Sequence, residues 1–79
     1  MSIRTAVLDQ IKLVARQQDR VLPTLTDALP LLDSGLDSLC IAILVANLEE
    51  ELGLDPFNSS SHTPRTLGEL IGLYENAAA

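Results

Sequence analysis

Between Asp19 and Leu36 the chain carries Pro23, a Thr26-Asp27 pair, Pro30 and Gly35, so no helix can run through this stretch. The interruption parts two helical patterns within 79 residues, a length that fits one domain over residues 1–79 and three or four helices. Structureless connections as long as residues 19–36 are uncommon in compact domains unless they are functional or well anchored. Val21, Leu22, Leu25, Leu29, Leu31 and Leu32 are the side chains available as anchors, and a pinned loop is expected.

The flanking segments read clearly. Ser2 is a plausible N-cap for a helix over about 3–18, in which Ile3, Val7, Ile11 and Val14 form one apolar stripe that Leu8 and Ala15 widen. Leu13 falls outside it. A second helix over about 38–52 has Asp37 as its N-cap and Gly53 as its stop. This helix is apolar nearly all round: Leu39, Ile43 and Ala46 share one side, and Ile41, Val45, Leu48 and Leu52 another. Such a helix is either central or partly exposed for a partner. Residues 53–66 are turn-rich, with room for one short helical turn between Pro56 and Ser61. Thr66 and Glu69 have capping-box spacing ahead of a helix over about 67–76, with Ala77 to Ala79 expected to fray. No stretch alternates with period two for long enough to make a strand. The expected fold is all-α, a small bundle of three main helices plus a short or weak third helix in chain order, four in all.

Composition narrows the function. Aromatic residues are 3% of the chain, Phe57 and Tyr74 alone, which argues against a base-stacking nucleic-acid module. A formal charge of −6 is the wrong sign for a phosphate-backbone binder and the right sign for docking to basic protein surfaces. Cys40 is the only cysteine, so a reducing, cytoplasmic setting is expected, and its reading is a small apolar filler. The longest apolar run, Leu39 to Ala46, is too short for a membrane span. His62 lies in a Ser-rich loop with no second ligand at metal spacing, and no metal site is expected.

The segment Asp33-Ser34-Gly35-Leu36-Asp37-Ser38-Leu39 carries the most chemical information. Gly35 permits a tight or left-handed turn, Leu36 can anchor that turn in the core, and Asp37 can cap the helix while Ser38 points outward. A phosphate ester on Ser38 would sit at the positive end of a helix dipole, near unpaired backbone N–H groups. Ser38 lacks the G-x-S-x-G elbow of a serine hydrolase.

This segment resembles the phosphopantetheine attachment motif of acyl and peptidyl carrier proteins. The likeness extends over nearly the whole chain, through the acidic charge, the long first loop, the Glu49-Glu50-Glu51-Leu52-Gly53 helix end and the closing helix that starts at Thr66. It implies an acyl-carrier-like bundle that is monomeric and not itself an enzyme. It also implies that a phosphopantetheinyl transferase, using coenzyme A and Mg²⁺, attaches 4′-phosphopantetheine covalently to Ser38. The distal thiol would carry acyl or aminoacyl groups as thioesters to partners such as adenylate-forming ligases or synthases. Asp37 would serve both as cap and in binding the transferase's metal. Leu39, Ala42, Ile43, Ala46, Glu49 and Glu50 are the candidate docking residues, and Glu51 adds to the acidic patch.

Two positions depart from the common pattern of the family. Ile43 stands where an acidic residue is frequent, so docking at mid-helix is expected to be hydrophobic, and the third-helix region, Phe57 to Pro64, is polar and turn-rich. Both point to a specialised carrier. A function of another class, a small helical adaptor that buries a partner helix without any prosthetic group, would use the same apolar second helix.

Overall fold

The computed structural model describes residues 2–56 and 63–78. Three α-helices are present among them, α1 (Ile3–Gln17), α2 (Ser38–Leu52) and α3 (Leu67–Ala78), with a single 3₁₀ turn at Leu31–Asp33. The described residues contain no strand, only an isolated bridge between Pro30 and Thr66. The chain is therefore a small all-helical bundle. The helical turn expected between Pro56 and Ser61 falls mostly on residues 57–62, which lie outside the described residues, as does His62.

Each helix begins where a side chain takes over an orphan backbone donor. Ser2 Oγ accepts from the Thr5 N–H at 3.1 Å and Asp37 Oδ1 from the Cys40 N–H at 2.9 Å. Thr66 Oγ1 accepts from the Glu69 N–H at 3.2 Å, and the Glu69 carboxylate reaches back to the Arg65 N–H at 2.6 Å. That is the capping-box exchange displaced by one residue. Helix α2 ends at Gly53, whose φ of 68° is the left-handed cap that glycine adopts without strain. Helix α3 runs to Ala78, beyond the expected end near Asn76. Alanine is the best helix former and nothing before Ala78 breaks the ladder.

Helix α1 packs against both α2 and α3. Its buried positions are Ala6, Val7, Ile11, Val14 and Ala15, with Ile3 and Leu8 partly buried beside them and Leu13 exposed. Helix α2 turns Cys40, Leu44 and Leu48 inward, and α3 turns Leu67, Leu70, Ile71 and Tyr74 inward. Tyr74 is fully buried, and burial foremost, then the charges of Asp55 and Glu49, push its phenol up to about 12.

The long loop is pinned, as expected, chiefly by its backbone. The Leu31 N–H donates to Arg65 O, the Leu67 N–H to Leu29 O and the Gly68 N–H to Asp27 O, each at 2.9 Å. Asp27 also takes both terminal nitrogens of Arg4, at 2.6 and 3.0 Å. Leu22, Leu25, Leu29 and Leu31 pack against the core, but Val21 is 91% exposed and Leu32 96% exposed, so these two are not anchors. The three-residue period of the 3₁₀ turn sets Leu31 and Ser34 on the inner side and turns Leu32 outward. At Val21 it is the carbonyl, not the side chain, that meets the end of the loop at Gly35.

Gly68 is required by this pinning. A Cβ there would stand 2.9 Å from both the Cβ and the carbonyl oxygen of Asp27, whereas a Cβ on Gly72 would meet nothing within 4 Å. Gly68→Ala is therefore expected to lose about 1–3 kcal/mol in urea unfolding. Gly72→Ala, which only removes backbone entropy from a helix interior, is expected to gain about 0.5–1 kcal/mol.

Candidate functional site

The turn before α2 is built from four neighbouring constraints. Gly35 has φ 84°, and a Cβ on it would lie 2.8 Å from the Val21 carbonyl oxygen, so glycine is needed for both conformation and space. Leu36 is buried in the core cluster. Ser34, only 2% exposed, donates its hydroxyl to Leu31 O at 2.6 Å and accepts from the Leu36 N–H at 3.3 Å. Asp37 then caps α2. The two serines of the segment are thus distinct in kind. Ser34 is a satisfied structural hydroxyl, whereas Ser38 is exposed and its hydroxyl makes no hydrogen bond among the described residues.

Asp37 is engaged through both carboxylate oxygens. Oδ1 holds the Cys40 N–H, and Oδ2 accepts from an Nη of Arg20 at 2.5 Å. Arg20 arrives there because α1 ends in a left-handed turn. Asp19 has φ 57°, its N–H donates to Arg16 O at 3.3 Å and the Arg20 N–H donates to Ala15 O at 2.7 Å. The carboxyl of Asp37 is held below its ordinary value by the Cys40 backbone N–H first and the Cys40 side chain second. The charge of Arg20 adds to this, against partial desolvation. Arg20 was not legible as part of the site, since the only signal is an opposite charge 17 residues from Asp37.

An apolar groove of about 670 Å³ opens beside Ser38. Ile41 and Val45 of α2, Leu31 and Leu36 of the loop, and Leu70 of α3 give it an apolar floor and walls, with Asp37 and Ser38 also in its lining. Of the candidate docking residues, Ala42, Ala46 and Glu49 line this groove with Ser38. Leu39, 60% exposed, and Glu50 lie on the surface away from it, and Ile43 is half-buried against the core. Cys40 is buried, as a filler residue should be. Glu49, Glu50 and Glu51 are exposed at the end of α2, with no basic residue in its last turn.

Among the described residues, no three His, Cys, Asp or Glu side chains converge on a metal-sized site, and no helix is long and apolar enough to cross a membrane. Compared with protein families, with curated proteins and with solved structures, the chain matches none.

The lowered pKa of Asp37 has a definite sign in stability. Its contribution is complete above the ordinary carboxyl value of 3.8 and is lost as pH falls through the lower folded value. Asp37→Asn keeps an N-capping oxygen but neither titrates nor pairs with Arg20. The wild type is expected to melt above Asp37→Asn at pH 7, and the gap should close as acidification carries the pH down through the lowered folded value. A gap independent of pH would contradict the bridged, ionised carboxylate.

Proposed function

We propose that the chain is a carrier protein of the acyl-carrier type, with Ser38 as the attachment point for 4′-phosphopantetheine. The observation that carries this reading is the pairing of an exposed, uncommitted Ser38 hydroxyl at the first residue of α2 with an apolar groove that opens beside it. In forming the ester, Ser38 Oγ bonds to the phosphorus that carries the pantetheine, the anhydride bond of coenzyme A breaks, adenosine 3′,5′-bisphosphate leaves, and the hydroxyl proton passes to a base on the transferase. The residues present fit the group: Ser38 for the ester, the start of α2 for the phosphodiester, and the walls formed by Ile41, Val45 and Leu70 for an apolar cargo. The bound group supplies a distal thiol on which acyl or aminoacyl cargo travels as a thioester.

On this reading the chain needs no catalytic residues of its own, because activation and transfer take place on partner enzymes. Those partners are the phosphopantetheinyl transferase and adenylate-forming ligases or synthases. Asp37 assists the transferase's metal as well as capping the helix. Glu49, Glu50 and Glu51, on a chain of formal charge −6, suit encounter with basic partner surfaces, in a salt-sensitive way. Ala42 and Ala46 leave a low surface along the groove on which a partner can sit close. Leu39, 60% exposed, also suits the second reading, an adaptor that receives a partner helix without modification.

Incubation with coenzyme A, Mg²⁺ and a broad-specificity phosphopantetheinyl transferase separates the two. The carrier reading expects a gain of about 340 Da in intact mass that Ser38→Ala abolishes. A folded chain that gains no mass with a competent transferase is an adaptor instead.

A further inference from the structure

Arg4 and Arg20 each bridge an aspartate distant in sequence, and they do so differently. Arg4 engages Asp27 with both terminal nitrogens. The Arg20 guanidinium donates one bond, to Asp37 Oδ2, and makes no other hydrogen bond among the described residues. A guanidinium offers five N–H donors in a fixed fork, so most of those on Arg20 remain available. The bridge is also half exposed on both sides, and ion pairs in that setting contribute little to stability. What the pair does achieve is placement: a cation is held at the residue immediately before Ser38.

That placement matters once Ser38 carries an ester, and the inference rests on that reading of Ser38. A phosphodiester there brings a second negative charge beside the Asp37 carboxylate, on a chain whose formal charge is already −6. Like charges so close repel. None of the described residues lining the groove is a lysine or arginine. Arg20 is the cation fixed at this end of the groove. We infer that Arg20 is the counter-ion of the modified serine, its guanidinium bridging the Asp37 carboxylate and the phosphodiester oxygens on Ser38 through the N–H donors that Asp37 leaves unused. The left-handed turn at Asp19 is the element that delivers it, since that turn fixes the direction in which Arg20 leaves α1. Arg20 is thus a positioning residue, acting on the ester and on Asp37 and not on the chemistry of the thiol.

The test compares wild type, Arg20→Gln and Arg20→Lys by thermal melting at low ionic strength, each before and after loading with coenzyme A and transferase and each checked by intact mass. Loading is expected to lower the Tm of Arg20→Gln by about 2–4 °C more than that of wild type. Arg20→Lys should recover part of the difference, and about 0.5 M NaCl should remove most of it. A purely structural bridge would lower Tm equally in loaded and unloaded chains. Equal loading shifts in wild type and Arg20→Gln would therefore overturn the counter-ion role while leaving Ser38 as the attachment point. A wild-type chain that gains no mass would overturn both.

Discussion

The backbone of residues 27–31 is hydrogen-bonded to that of residues 65–68, and the rest of the molecule depends on this contact. It ties the middle of the long loop to the start of α3, with Arg4 of α1 fastened to the same place through Asp27. Three segments that are remote in sequence thereby meet at one point, and Gly68 is what lets the chains come close enough. With residues 27–31 fixed, the 3₁₀ turn at Leu31–Asp33 and the Gly35 turn have little freedom. They set Leu36 into the core and bring the chain to α2 with Asp37 in capping position.

The site inherits its character from that arrival. Within one short segment the fold makes one serine structural and leaves the other free. Ser34 is spent on holding the turn, and Ser38 emerges on a capped helix beside a groove whose walls come from α2, α3 and the loop. The cap is not an isolated device. The carboxylate that starts α2 is also the anion that receives Arg20, so the end of α1, the loop and the start of α2 converge next to Ser38. The proposed attachment of a prosthetic group would call for such an arrangement, a hydroxyl exposed to a partner but carried on a rigid base.

Much of this was legible in the residues. Ser2, Asp37, Gly53 and Thr66 marked the helix ends because capping is local chemistry, decided within three or four residues. The buried stripe of α1 was legible because its other faces are polar. Cys40 was legible as a small filler, but the rest of the inward face of α2, Leu44 and Leu48, was not, because a helix apolar nearly all round gives no contrast from which to choose a side. Val21 and Leu32 looked like anchors by hydrophobicity alone, yet the loop is held largely by backbone hydrogen bonds, which leave no mark on side-chain pattern. The roles of Gly68 and Arg20 were hidden for a related reason. Their partners, Asp27 and Asp37, come near only after the chain has folded. Of the candidate docking residues, Ala42, Ala46 and Glu49 share the groove with Ser38, a grouping that spacing along α2 could suggest but only the loop and α3 could complete.

The contrast between the two serines gives the most direct measurement of the central claim. Fragmentation of the loaded chain by tandem mass spectrometry locates the added group within the segment Asp33–Leu39. The account predicts that all of it sits on Ser38 and none on Ser34, whose hydroxyl is buried and already bonded. Modification of Ser34, or a mixture of the two, would contradict the account of this turn.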